Sequence, residues 1–244
     1  MYLDAYYAAV ESTLSKIRAT QGENILRAAE MLATSLAQRG TLHVMDTGHM
    51  LKYEAFFRAG GMMAMVPFSY ELKIDNPADQ RKIAKTPEEL ADIEARTVSL
   101  ALDSSKIIRG DVILINSNSG RTSNVIEVAL QCRERGIHTI GMVSADQMEK
   151  CTAAHPSGKK LGEVVDLLID NCGPYGDGAV PVKDNENMCP MSGIGSTFIF
   201  WAIHAEAVER LQAKGVNPTI FRSVHVSGME YIDKQREHFF KEGI

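Results

Sequence analysis

The sequence predicts an α/β fold, a mostly parallel central sheet wrapped on both faces by helices to give three layers. Three observations carry this. Val112 to Ile115 is a continuous apolar run, as a strand covered on both faces requires. Short apolar runs alternate with segments of helical spacing along the chain, which is the pattern of crossovers in a parallel sheet. The chain, at 244 residues, is also long enough to bury a substantial core as one large domain.

The elements follow in order. Met1 to about Ala19 and Glu23 to Gln38 have apolar residues at helical spacing, with Ile25, Leu26, Ala29, Leu32 and Leu36 on one face of the second segment. Thr41 to Met45 reads as a strand, and Asp46-Thr47-Gly48-His49 turns it into a helix from about Met50 to Arg58, which Gly60-Gly61 ends. Met62 to Pro67 is a second strand, followed by a polar loop from Phe68 to Thr86 with a turn at Asp75-Asn76-Pro77. Thr86-Pro87-Glu88-Glu89 is a helix start, with Thr86 as cap, Pro at the first position and Glu89 closing a capping box, and the helix is expected to reach about Ile108. The Val112 strand comes next, then a helix to Arg135 stopped by Gly136, a buried strand from Ile137 to Val143, a polar loop from Ser144 to Lys160, and a strand from Val164 to Ile169. A Gly- and Pro-rich segment, 171 to 190, precedes a long uncharged helix to about Lys214. An extended piece from Ile220 to Val226 and a polar helix from Met229 to Lys241 close the chain. Residues 1–244 thus read as a single domain with an N-terminal helical segment (1–40) and a C-terminal extended and helical tail (215–244).

Bulk properties narrow the function. Lys plus Arg number 26 against 31 Asp plus Glu, a net charge of −5, and the basic residues are dispersed, which argues against a nucleic-acid surface. Four cysteines without paired spacing suggest neither a zinc knuckle nor a disulfide framework, so reduced cytosolic thiols are expected. Asp4 and Glu11 near the start, with no basic-then-apolar segment, argue against a signal peptide. Met188 to Ala205 lacks Asp, Glu, Lys and Arg, but Pro190, Ser192, Gly193, Gly195, Ser196 and Thr197 within it favour a buried or interface helix over a membrane span. No histidine pair has helical ligand spacing, so no metal is expected, and no Gly-x-Gly-x-x-Gly turn supports a dinucleotide; no cofactor is expected at all.

The chemistry concentrates between the Val112 strand and the helix that Val125, Ile126, Val128 and Ala129 mark. Ser117, Ser119 and Thr122 surround Gly120, whose freedom at positive φ allows a tight bend and leaves a bound group room to approach. Amides of a first helical turn, the helix dipole and three hydroxyls together suit a tetrahedral oxyanion without a metal. A simple N-cap needs one hydroxyl, and this turn has three. Ligands of open α/β sheets bind beyond the carboxyl ends of the strands, where the sequence places Thr47, Gly48, His49, Ser117, Ser119, Thr122, His155, Ser157 and Lys159. An anion cradle and a proton-shuttling pair are what a sugar phosphate needs.

Ser-Asn-Ser-Gly-Arg-Thr, 117 to 122, directly after an apolar strand, resembles the Ser-x-Ser-Gly-x-Thr phosphate loop of the SIS (sugar isomerase) domain family, which adds Asn118 and Arg121 to the anion-binding candidates. Glu-Ala-Phe-Phe-Arg-Ala-Gly-Gly from Glu54 to Gly61, His-Pro-Ser-Gly-Lys-Lys-Leu from His155, Asp-Asn-Cys-Gly-Pro-Tyr-Gly-Asp from Asp170, and Asn217-Pro218 are similar to landmarks of single-domain bacterial members, so the resemblance spans most of residues 20 to 228. It implies an SIS-type α/β/α sandwich acting on an anionic sugar, phosphorylated or sulfonated, by proton transfer between C1 and C2 through an enediol. In those terms Glu54 is the base and His49 the acid or ring-opening partner, Lys159 and His155 meet the substrate's charge and hydroxyls, and Ser192 caps its helix or touches substrate. The resemblance also implies a homodimer or homotetramer with the site between subunits, which His225 of a neighbour could enter. One departure stands out: relatives carry a serine soon after the equivalent of His49, whereas here Met50 and Leu51 follow. A lyase or etherase of the same fold and a sugar-phosphate sensor without turnover are the alternative readings. His204 on an apolar face reads as a core histidine, and Glu206 as a minor rival for the base.

Overall fold

The structure is a computed structural model that describes residues 1–48, 51–74 and 84–244, the side chain of Lys52 excepted. His49, Met50 and the turn expected at Asp75-Asn76-Pro77 lie outside the described residues.

Helices α1 (Tyr2–Thr20) and α2 (Gly22–Ala37) lead into strand β1 (Leu42–Asp46), the one-turn helix α3 (Leu51–Glu54) and strand β2 (Met65–Pro67). Then come α4 (Pro87–Ser104), β3 (Val112–Asn116), α5 (Ser123–Glu134), β4 (His138–Val143), the short α6 (Ala145–Lys150) and β5 (Leu167–Asp170). A hairpin, β6 (Gly178–Lys183) with β7 (Glu186–Pro190), precedes the long α7 (Ser192–Ala213) and the terminal α8 (Val224–Glu242). The main sheet has the order β2-β1-β3-β4-β5 and every pairing in it is parallel.

Side-chain alternation along the central strands builds two cores from one sheet. Val112, Leu114, Ile140 and Met142 pack against α1, α2 and α7, through residues such as Ile17, Leu32, Leu36, Ile199 and Phe200. Ile113, Ile115 and Val143 face the other way, toward Val98 and Leu102 of α4 and Val125, Val128 and Ala129 of α5. The result is the expected α/β/α sandwich. At the N-terminal edge of the sheet the buried Asp111 carboxylate locks the chain, accepting from the Thr41 and Ile108 amides and pairing with His43 at 2.9 Å.

Several local expectations are corrected. The helix after β1 is one turn, Leu51–Glu54, because the backbone bends at Ala55–Phe57, with Phe57 at φ 56°. Helix α4 stops at Ser104 rather than Ile108, its end bonded from the Ser105 amide to the Leu102 carbonyl. The Gly- and Pro-rich segment from 171 to 190, for which no strand was expected, contains the β6–β7 hairpin, turned by Asp184 and Asn185 at positive φ. The piece expected as extended from Ile220 already turns helical at Val224, and Gly228, at φ 74°, breaks it before the run that starts at Met229. Among the described residues no helix is long and apolar enough to cross a membrane.

Candidate functional site

In the strand order, β1 leads outward to β2, and the chain then crosses back past β1 to β3, so the direction of winding reverses between β1 and β3. The crevice beyond their carboxyl ends is where ligands of such sheets bind. Two of the sequence candidates meet there. Thr47, just past β1, donates both its amide and its hydroxyl to the Asn116 carbonyl at the end of β3, at 3.0 and 3.1 Å. The Gly48 amide turns back onto the Asp46 carboxylate at 2.9 Å.

The loop 117–122 is a tight turn closed by the Gly120 amide on the Ser117 carbonyl at 3.0 Å. Gly120 has φ 56°, and a Cβ there would come within 3.1–3.2 Å of Val143, Leu161 and Met148. The positive φ of the expected tight bend is present, and the glycine is required by packing behind the loop as well. Thr122 occupies the N-cap of α5 but its side chain makes no capping bond. Among the described residues the hydroxyls of Ser117, Ser119 and Thr122 make no hydrogen bond, and the amides of Asn118, Ser119, Arg121, Thr122 and Ser123 have no protein acceptor. A helix N-terminus with this many unused donors is suited, in chemistry and in position, to an anion.

The loop is held from outside. The Asn118 carbonyl accepts the Ser144 amide at 2.9 Å, and its side-chain oxygen accepts from Asn171 at 3.2 Å. Gly120 and Arg121 bind the following loop through Leu161 (amide to the Gly120 carbonyl, 2.8 Å), Ala154 (amide to the Arg121 carbonyl, 3.0 Å) and Thr152 (carbonyl from Arg121 Nε, 2.7 Å). Arg121 is thus engaged as a strut.

The remaining candidates spread more widely. Glu54 ends α3 with its carboxylate 29 % exposed and 3.4 Å from the Arg58 guanidinium. His155 Nε2 lies 3.0 Å from Glu127 of α5, and its Nδ1 accepts from the Ser157 amide at 3.2 Å with the Ser157 hydroxyl at 2.7 Å. Because Nδ1 accepts, the neutral ring carries its proton on Nε2 and donates it to Glu127. Ser157 and Lys159 are exposed, and the Lys159 amide bonds the Ser157 hydroxyl at 3.3 Å. Ser192 is taken by Asp177, which accepts its hydroxyl at 2.8 Å and its amide at 2.7 Å. His225 is on the outer surface of α8, and Glu206 pairs with Arg210 at 2.8 Å, about 20 Å along α7 from Ser192 at the usual helical rise. His204 is buried between Phe200, Trp201 and Met65, and burial pulls its pKa down to about 4. Among the described residues no group of three or more His, Cys, Asp or Glu could hold a metal ion.

Comparison with known proteins places this architecture. The family profile described as SIS domain matches residues 5–144. The chain belongs to the SIS-domain family. It is 32 % identical over 237 residues to a UPF0309 protein of Caldanaerobacter subterraneus, covering 93 % of each chain, and 33 % identical to one of Thermoanaerobacter pseudethanolicus, covering 94 % of this chain and 92 % of that one. Among solved structures it resembles a phosphoheptose isomerase of Neisseria gonorrhoeae, with a TM-score of 0.51 at 17 % identity over 86 % of this chain and 97 % of that one. One of Francisella tularensis also has a TM-score of 0.51, at 11 % identity over 86 % of this chain and 96 % of that one. At such identities the likeness is one of fold.

Beneath the cradle of this SIS domain lies a polar network that the motif does not announce. Asn116 donates its side-chain amide to Asp46 at 2.8 Å and accepts from the Ser196 hydroxyl of α7 at 3.3 Å. Ser196 accepts in turn from Asn171 at 3.2 Å, the same amide group that reaches Asn118. Gly195 lets α7 approach this closely, since a Cβ there would sit 2.1 Å from the Asn171 carbonyl oxygen. In sequence, Asn171 stood out only as part of the stretch from Asp170 that resembles family members, and Asn116 was not singled out. Beside the cradle a cavity of about 820 Å³ opens between the N-terminal half of α4, the first turn of α5 and the loop carrying Ala154 and Pro156.

Proposed function

We propose that the protein binds a phosphorylated sugar through the loop 117–122 and interconverts its aldose and ketose forms. The observation that carries the reading is the set of unused hydroxyl and amide donors at the N-terminus of α5, set at the point where the winding of the sheet reverses. Membership of the SIS family and the shared fold of two phosphoheptose isomerases support it. A sulfonated sugar presents the same three oxygens with less charge and fits the same donors.

In the proposed reaction the Glu54 carboxylate removes the C2 proton of the open-chain aldose, giving an enediol, and returns a proton to C1. A second group, His49, moves the hydroxyl proton from O2 to O1, so that atoms and charge balance. Imidazole titrates near neutrality and can give or take that proton. The Glu54–Arg58 contact is a partly exposed pair four residues apart, which is worth only a few tenths of a kcal/mol, about 0.3–0.5, and is easily exchanged for substrate. The same contact favours a second reading, binding without turnover, if Arg58 keeps the carboxylate. The subunits are proposed to associate, with the site at their junction.

Deuterium incorporation at C1 or C2, followed by NMR with hexose 6-phosphates and heptose 7-phosphates, separates these readings. We expect exchange with the native protein, none with Glu54→Gln at near-native affinity, and affinity weakened about tenfold or more in Ser119→Ala through loss of a charge-assisted hydrogen bond. Binding without exchange in the native protein leaves the sensor reading standing, and unchanged affinity in Ser119→Ala removes the cradle.

A further inference from the structure

The loop after α6 joins three side chains into one hydrogen-bonded line. His155, Pro156, Ser157 and Gly158 form a tight turn, closed by the Gly158 amide on the His155 carbonyl at 2.9 Å, with Gly158 at φ 70°. Pro156 fixes its own φ, and the turn leaves Ser157 exposed. The Ser157 hydroxyl lies 2.7 Å from His155 Nδ1 and accepts the Lys159 amide at 3.3 Å, so its own proton points at the imidazole. Across the ring, Nε2 donates to Glu127 of α5 at 3.0 Å, and the other Glu127 oxygen accepts from Gln131 at 2.7 Å. The side chains of His155 and Glu127 are 10 % and 15 % exposed, so the hydroxyl is the member that meets solvent. The turn needs only the contact between residues 155 and 157 to close. Glu127 belongs to another element and adds something else: it fixes the tautomer of the ring and stabilises the imidazolium formed when the ring takes a proton. A hydroxyl within reach of a base that a third group orients is the arrangement of an activated nucleophile.

We propose that Ser157 is such a nucleophile and that the protein hydrolyses uncharged carboxylic esters at this turn, an activity separate from the sugar chemistry. Ser157 Oγ attacks the ester carbonyl while His155 Nδ1 takes its proton. The tetrahedral intermediate collapses, the C–O bond to the alcohol breaks, and the alcohol leaves with the proton from Nδ1. Water, giving a proton to the same nitrogen, then attacks the acyl-serine; the acid departs and the proton returns to Ser157 Oγ. The Lys159 amide already bonds Oγ, and its exposed four-carbon side chain is long enough to reach the carbonyl oxygen as charge develops there. Ala154 and Pro156, on either side of His155, line the cavity between α4 and α5, where Leu72, Leu90 and Ile93 make the wall apolar and Glu94 repels an anion. The ester that fits is therefore neutral, with an apolar acyl chain.

Labelling of the full chain with a fluorophosphonate and hydrolysis of p-nitrophenyl butyrate test this. The probe forms a P–O bond to Ser157 Oγ as fluoride leaves, and peptide mass spectrometry locates the adduct. The native protein is expected to carry the adduct at Ser157 and to release p-nitrophenolate, and Ser157→Ala to do neither. His155→Gln lowers both rates about a hundredfold or more, the share of a general base. Glu127 is a positioning residue. Glu127→Gln keeps an acceptor for Nε2 and so preserves the turn, but it removes the charge and lowers both rates about tenfold or more, whereas Glu127→Asp restores part of the loss. An unlabelled Ser157 or absent ester turnover in the native protein, turnover that persists in Ser157→Ala, or rates unaltered in Glu127→Gln overturns the proposal. None of these outcomes bears on the sugar-phosphate reading of the cradle.

Discussion

Gly120 shows how a single position can answer to several constraints. Its φ of 56°, the packing of Val143, Leu161 and Met148 behind it, and its carbonyl's bond to the Leu161 amide each restrict it. Sequence reasoning found the glycine, because positive φ in a turn is local, but could not find the packing, because those neighbours come from other elements. His204 makes the complementary point. Its apolar neighbourhood was legible from the uncharged run around it, and the structure adds the consequence that burial lowers its pKa to about 4, against a weaker opposing bond to the Phe200 carbonyl. The unfolded chain, with an ordinary imidazole, takes up a proton below about pH 6.5 that the fold does not. Stability is therefore expected to be level above that value and to fall as pH drops from about 6.5 toward 4. Glu30, held low first by Lys214 and then by Arg210, adds a loss only in the carboxylate range below this window. Urea midpoints at pH 7 and pH 5 check the slope, and His204→Gln should flatten it.

Helix starts divide the elements that sequence could place from those it could not. The capping box at Thr86 is present as expected, with the Glu89 amide on the Thr86 hydroxyl at 3.2 Å and the Thr86 amide on the Glu89 carboxylate at 2.8 Å, because all its parts lie within one turn. Helix α7 has no cap from its own N-cap residue, Met191; Asp177 supplies one from across the hairpin, accepting the Met191 and Ser192 amides at 3.0 and 2.7 Å. No local pattern could reveal that partner. Its negative charge also meets the positive end of the α7 dipole. Asp177→Asn, which keeps a residue tolerant of positive φ but removes the charge, is expected to cost about 1 kcal/mol in chemical denaturation, and Asp177→Ala more, since it removes the cap altogether and puts at φ 67° a residue without the short polar side chain that tolerates it. The hairpin itself was not legible, since the Gly- and Pro-rich composition of 171–190 hides any strand alternation, whereas Pro181 and Pro190 sit in a two-stranded ribbon, where proline is tolerated at an edge.

At the scale of the molecule, the alternation of apolar runs correctly implied a parallel sheet between two helical layers. The polar floor formed by Asp46, Asn116, Asn171 and Ser196 stayed hidden, as its members are brought together only by strand order and by α7 crossing over the sheet. The surface carries a further signal. Tyr2, Leu3 and Tyr7 of α1 are each more than half exposed, next to Val182 and Met188 of the hairpin, with the Tyr2 hydroxyl 3.5 Å from the Val182 carbonyl. An apolar face of this kind is what the proposed association of subunits would cover. Sedimentation at micromolar concentration is expected to find a dimer or tetramer, and Tyr7→Lys a smaller species; a native monomer would refute the proposed subunit junction.

The supports of the phosphate loop have a bearing on how such motifs spread. Residues 5–144 contain the stretch by which the family is recognised, yet several groups that brace the loop, Leu161 and Asn171 among them with Ser196 behind Asn171, follow that stretch. A shuffled gene segment that transplanted the signature alone would inherit its spelling without its stiffness.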